Sequence, residues 1–417
     1  MELPHRPSAG CPELGAGDRL DEPGAAQLER ARARGLRTAV LTCDRASYGE
    51  DVDWLVDRWV ECDTRQAGAV VAAVEALAGA PVAVTSVVDG FLEPAAVAAR
   101  VLGLRGPTPG SPALANDETV LRAAVAAAGV PVAPWVSVPA GDPALTAAVG
   151  YPCVVAPVDG GRRWDVALVA DDGELRALAA RHAARASLGP GVQPQGRLLV
   201  EQYVHGPRFA ADGLVADGRP VVLAWSDQVM TPPPEWAELA TTATRQPPLA
   251  DAPAFVAAAL AAAGYDSGPF HLEFVLGPAG PVLTALHARP AEPGAQLCVD
   301  QVGGVDSADA AVALLLGEPL PEVRADRAAP ACTRVSLLSH TAGRVRGVSG
   351  VRDAGAIPGL LVAEVFTSVG GRTEPPGSPT AHLGHVVAVG ATPQQASRRA
   401  AYALDGIHVD VELLQPV

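Results

Sequence analysis

A chain of 417 residues exceeds what one ordinary core holds and implies about two to three domains. Its formal net charge of −15 leaves no basic stripe to neutralise phosphates, which excludes the usual nucleic-acid binder and fits an acidic, well-solvated surface. All 31 basic residues are arginine, so no lysine nucleophile, Schiff base or lysine phosphate contact is available.

Two origins account for the missing lysine: a GC-rich genome, or selection against reactive amines. Aromatics make up only 4% of the chain, so Ala, Val and Leu carry the interior. The six cysteines (Cys11, Cys43, Cys62, Cys153, Cys298 and Cys332) lack CxxC or metal spacing and read as reduced, mostly buried small hydrophobes. The opening MELPHRPSAGCPELGAG has no apolar stretch of a signal peptide, and no run is long and apolar enough to span a bilayer. The expectation is a cytoplasmic protein without membrane or nucleic-acid partners.

In chain order, residues 1–23 read as a flexible tail. A helix over 24–35 leads into a buried strand, 36–44. A second strand over 59–64, a helix over 67–80, a third strand over 81–87 and a helix over 93–104 complete the alternation expected of a parallel, helix-covered sheet. GPTPGSP (106–112) reads as a linker. A helix over 116–130, opened by an Asn/Asp cap and closed by Gly129, starts a new unit.

From 151 onward the pattern becomes strand, turn, strand: 151–158, DGGRR (159–163) and 164–169, then a helix over 171–186. Strands over 197–204, 209–226, 271–276 and 281–288 follow, with ADGR and GPAG as hairpin connections. After a helix over 306–317, a small strand-rich lobe ends in the helix PQQASRRAAYALDGI. The fold class is α/β followed by α+β.

The residues themselves carry a family resemblance. NDETVLRAAVAAAGVPVAPW resembles the "DK…R…aGvpvP" helix of ATP-grasp enzymes. YPCVVAPVDGG is similar to their "yPvVvKP…G" strand and phosphate loop, LLVEQYVHG to "vEEyv.G", and HLEFVLGPAGPVLTALHARP to "H.E…iEiN.R". The order of these pieces over residues 24–417 resembles the carboxylate–amine ligases, L-amino-acid ligases among them, with a plan similar to biotin carboxylase. The resemblance implies an N-terminal parallel α/β (pre-ATP-grasp) domain over 24–110 and an ATP-grasp core over 111–320. Within that core the small lobe is near 140–205 and the large lobe is 206–320. A small C-terminal strand-rich lobe over 321–417 completes the plan.

Such ligases activate a carboxylate as an acyl phosphate with ATP and Mg²⁺, and an amine then displaces phosphate. That chemistry needs cations on the phosphates and carboxylates on the metal. On the matched positions, Glu201 with the backbone of Gln202 and Val204 would meet adenine. Gly160, Gly161, Arg162 and Arg163 form either a phosphate cradle or a plain solvated hairpin. Glu273 would hold metal and act in catalysis with Arg289, whose fork would anchor a substrate carboxylate or the transferred phosphate. Glu238 stands near the amino-acid pocket, or is an ordinary helix-surface charge. The substrate implied is a small carboxylate or amino acid, and the family implies a homodimer.

Several matched positions depart from the pattern. The family lysines map to Glu118, Ala156 and Gln228, and drift of codon usage alone would give arginine there. Arg208 stands where the family has Glu. At 12, 14 and 16 positions beyond Glu273 the family has Glu, Asn and Arg, and this chain has Ala285, His287 and Arg289. His287 is either a weak metal ligand beside Glu273 or a partly buried imidazole with one hydrogen bond. Two functions therefore stand side by side. One is an ATP-dependent ligase that uses ATP and Mg²⁺. The other is a repurposed or inactive pseudo-ligase that binds a small molecule or partner and needs neither. His382 and His385 read as lobe-surface residues, and no G-x-S-x-G, HExxH or Walker A motif supports another class.

Overall fold

The computed structural model describes residues 22–142, 144–159, 166–184, 194–232, 237–321, 328–376, 378 and 381–413. The expected phosphate loop, Gly160, Gly161, Arg162 and Arg163, lies outside them.

Helix α1 (Glu22–Ala33) precedes β1 (Ala39–Thr42) and β2 (Arg58–Glu61), which pair in parallel, followed by α2 (Ala67–Glu75) and α3 (Asp89–Val101). The third strand expected over 81–87 does not form. Pro81 brings no N–H to a ladder, and Ser86 Oγ accepts the Val88 amide at 3.2 Å, a local bond that competes with strand pairing.

The supposed linker runs straight into α4 (Ser111–Asn116), followed by α5 (Glu118–Ala127). The Asp117 carboxylate caps α5 by accepting from the Thr119 and Val120 amides at 2.9 and 3.1 Å. Leu121 and Val125 bury its apolar stripe, and Arg122 is buried beside them. Next come β3 (Trp135–Pro139), β4 (Cys153–Pro157), β5 (Ala167–Val169), α6 (Asp172–Ala183) and β6 (Arg197–Gln202). They make a four-stranded antiparallel sheet in the order β3-β6-β4-β5. Its inner face, with Cys153, Val155, Leu198 and Val200, packs on Leu175 and Leu178 of α6.

The large lobe opens with the hairpin β7 (Arg208–Ala216) and β8 (Arg219–Met230). Its two-residue turn, Asp217–Gly218, has φ of +48° and +75°, the left-handed pair that matches strand twist. β9 (Glu238–Thr244), α7 (Ala252–Ala262), β10 (Gly268–Gly277), β11 (Gly280–His287), α8 (Pro293–Gly303) and α9 (Ser307–Leu316) follow. The core under α7 holds Phe255, Leu260, Phe270, Leu272 and Phe274, and full burial of each such side chain contributes about 1.5–3 kcal/mol.

The closing segment comprises β12 (Ala331–Leu338), β13 (Gly343–Ser349), α10 (Val351–Ala354), β14 (Leu360–Val365), β15 (Arg372–Thr373), β16 (His382–Gly390), α11 (Pro393–Asp405) and β17 (His408–Leu413). Its β12 pairs antiparallel with β9, so one eight-stranded sheet runs β11-β10-β7-β8-β9-β12-β16-β14 across lobes read separately in the sequence. The other three strands form their own sheet, β15-β13-β17. Among the described residues no helix is long and apolar enough to cross a membrane.

A charged cleft across three lobes

Two clusters of charged side chains meet where α5, the small sheet and the eight-stranded sheet converge. The first centres on Arg122, whose side chain is 1% exposed. Its Nε and one terminal nitrogen donate to both carboxylate oxygens of Glu201 at 2.6 and 3.0 Å, a bidentate fork. The other terminal nitrogen donates to Glu118 one turn earlier at 2.9 Å. The nitrogen that bonds Glu201 at 3.0 Å also reaches the Thr284 carbonyl on β11 at 2.6 Å. One guanidinium thus ties the opening helix to the strand meant to meet adenine and to the strand meant to hold metal.

Glu118 is the residue that the sequence resemblance set against a family lysine. Burial pushes its carboxyl up to about 7; Arg122 opposes that, and the carboxylates of Glu201 and Glu273 add to it. Ala156 sits on β4 opposite Leu199, two residues from Val154, which is opposite Glu201. It therefore shares the Glu201 face, and offers only a methyl group there. Gln202 donates its amide to the Pro134 carbonyl at 2.9 Å, while Val204 lies against Gly277 at the end of β10.

The second cluster surrounds Glu273, which is 7% exposed on β10. One oxygen accepts from Arg208 at 3.2 Å. The other accepts from Gln228 at 3.3 Å and lies 3.2 Å from His271 Nε2. The second His271 nitrogen lies 2.6 Å from buried Asp212. Burial alone would favour the neutral imidazole, but Asp212 and Glu273 outweigh it and raise His271 to about 10, so this imidazolium is charged at neutral pH.

Ala285 stands directly opposite Glu273 in the β10–β11 ladder. The family's second metal carboxylate would have been its cross-strand neighbour. His287 pairs instead with His271, ring centroids 5.9 Å apart and 14° from parallel. Burial, then the charge of Arg289, lowers His287 to about 4. Arg289 holds Asp89 of α3 at 2.8 Å and so bridges to the N-terminal domain. Among the described residues no group of three or more His, Cys, Asp or Glu is arranged to hold a metal ion.

Thr241 and Arg334 escaped sequence reasoning, and the structure joins them to residues that it had named. Arg208, Gln228, Thr241 and Arg334 lie directly opposite one another across β7, β8, β9 and β12. Glu238, expected on a helix, begins β9 and bridges this row: it accepts from Gln228 at 3.2 Å and from Arg334 at 2.8 Å. His382 and His385, expected on the surface, face inward with rings 6.3 Å apart, and His385 is 4% exposed. His382 Nε2 accepts from Arg334 at 3.0 Å; burial, then that neighbouring charge, lowers its pKa to about 4. Arg334 had no local signal in the sequence, because its place depends on strand β12 joining the large sheet.

A small antiparallel sheet and a large one meeting over buried charged side chains matches the two-lobed core that the resemblance implied, and comparison with known proteins agrees. Residues 149–298 match the family model described as ATP-grasp domain, and residues 336–412 match L-amino acid ligase C-terminal domain 2. The chain belongs to the ATP-grasp superfamily. Its C-terminal segment shares a domain with L-amino acid ligases. The solved L-amino acid ligase from Bacillus licheniformis superposes with a TM-score of 0.75 at 18% identity, over 93% of this chain and 95% of that one. The uncharacterised protein y4rH of Sinorhizobium fredii is 28% identical over 88% of this chain and 76% of its own length. Carnosine synthase 1 of Gallus gallus is 32% identical over 55% of this chain, which spans only 26% of that longer protein.

ATP-grasp relatives use ATP and Mg²⁺. At Glu273 the described residues offer a magnesium ion no second carboxylate. Glu273 already receives two cationic donors and an amide, and its ladder partner Ala285 offers no side-chain oxygen ligand.

Proposed function

We propose that this ATP-grasp chain binds a small carboxylate or amino acid in the cleft between its lobes and no longer drives ligation with Mg·ATP. The observation that carries this reading is the setting of Glu273, clasped by Arg208, Gln228 and His271 and facing the Ala285 methyl group. A triphosphate with its metal brings strong negative charge that must be neutralised where it sits. Here the neighbouring acids Glu118, Glu201 and Glu273 are matched by internal cations instead. Small-molecule binding is supported by the buried polar groups of Gln228 and Arg334, in one row on the eight-stranded sheet, and of Glu238, which bridges them.

The test is calorimetric titration with Mg·ATP, with a parallel assay for ADP on mixed amino acids. The expected result is no saturable heat from Mg·ATP and no ADP above background, with a thermal shift produced by a subset of amino acids. Saturable Mg·ATP binding with ADP release would establish a working ligase and overturn the proposal.

A further inference from the structure

The two sides of the cleft have changed in opposite senses. On the metal side, positions that hold Glu in the family pattern carry Arg208 and Ala285. Of the positions set against family lysines, Glu118 and Ala156 lie on the α5 and β4 side, and Gln228 donates to Glu273 itself. The α5 side thus carries an added acid, Glu118, and the Glu273 side an added cation, Arg208. Simple erosion would leave neutral residues in both places, and Glu273 would keep as its cation the His271 ring, which Asp212 already holds. A carboxylate this buried is costly unless a cation meets it.

We infer that Arg208 is a resident cation: its guanidinium, 3.2 Å from Glu273, takes the electrostatic place that a divalent ion holds in ATP-grasp relatives, and so excludes that ion from the cleft. The inference rests on the reading proposed above. Arg208 and Gln228 are direct partners across β7 and β8, so both point to the same side and reach the two oxygens of one carboxylate. Glu273 lies two residues along the ladder on the same face, opposite Ala210, while Arg208 is opposite Val275. A guanidinium supplies one permanent charge with directed N–H groups and needs no dehydration of a metal aquo ion. The loss of the second carboxylate at Ala285 follows the same logic: Arg208 balances Glu273, His271 is held by Asp212, and a second carboxylate would be left unpaired.

The experiment uses Mn²⁺ alone as probe, followed by electron paramagnetic resonance, without nucleotide. The wild-type chain is expected to show no bound Mn²⁺ at a Glu273-dependent site. The Arg208→Glu/Ala285→Glu double variant is expected to bind Mn²⁺ at least about tenfold more tightly, and adding Glu273→Gln removes that gain. Folding is monitored by circular dichroism. A folded double variant that binds no better than wild type overturns the inference, as does a wild-type site that Glu273→Gln abolishes. Should the double variant fail to fold, Arg208→Met decides: its thermal midpoint must fall and be restored by Mn²⁺, and no restoration counts against the resident cation. ATP is absent throughout, so failure here is separate from failure of the functional reading, which wild-type Mg·ATP titration alone decides.

Discussion

The Arg122 guanidinium spans both carboxylate oxygens of Glu201, a partner 79 residues further along the chain. That fork is almost fully buried, so its strength comes from the low dielectric around it and its fragility from the same source. Arg122→Met leaves Glu201 and Glu118 buried without a cation and is expected to cost about 3–5 kcal/mol of folding stability. Arg122→Lys is expected to recover only part of that loss, because an ammonium cannot make the bidentate contact. Urea denaturation followed by circular dichroism measures both, and a Met variant as stable as wild type would contradict the assigned geometry.

Glu118 gives the cleft a pH dependence. Its folded carboxyl is raised to about 7 from an ordinary 4.5, so the native state keeps a proton that the unfolded chain has already lost. The sign follows: this contribution is fully present below about 4.5 and disappears as pH rises through 7. Glu118→Gln is expected to flatten the fall of the thermal midpoint between about pH 5 and 8. A parallel displacement of the two curves, with no change of slope, would rule out a titrating Glu118.

The stacked imidazoles His271 and His287 are expected to carry opposite protonation. His271, raised to about 10, contributes stability below its unfolded value of 6.5 that is lost as pH climbs through 10. His287, lowered to about 4, contributes stability above 6.5 that is lost as pH drops through 4. Imidazole carbon shifts in the metal-free protein, assigned with His271→Gln and His287→Gln, should show a charged His271 and a neutral His287 at neutral pH. Two rings titrating together near 6.5 would refute this arrangement.

Gly294, at the start of α8, tests the packing of the Arg334 corner. An added Cβ would meet Arg334 Cδ and His385 Nε2, each at 2.9 Å. Gly294→Ala is therefore expected to cost about 1–3 kcal/mol and to disturb the Glu238–Arg334–His382 chain. Equilibrium unfolding measures the loss, and the His382 imidazole shift reports the disturbance. A neutral substitution would mean that α8 has room to move.

Much of the strand and helix order was legible because local signals were strong. The Asp117 cap, the Asp217–Gly218 turn and the apolar strands of the large lobe all formed where their residues prescribe. Residues 81–87 misled because apolar content does not by itself supply a partner strand, and Ser86 bonds locally. Helices α7 and α8 were missed: α7 is Ala-rich and without strong apolar period, and α8 starts at a proline. The charge changes at Glu118, Ala156, Gln228 and Ala285 could be read from the family pattern alone.

The sequence by itself determined which charges this chain possesses: no lysine, an arginine at 208, an alanine at 285 and a glutamate at 118. Only the tertiary structure decided which of them meet. Arg122 reaches Glu201 from another lobe, Arg208 and His271 converge on Glu273, and β12 carries Arg334 to Glu238 through a shared sheet. The physical reason is one of range. Residue type and local periodicity act within a few positions, whereas neutralising a buried carboxylate depends on groups brought within about 3 Å by strands and helices far apart in the chain.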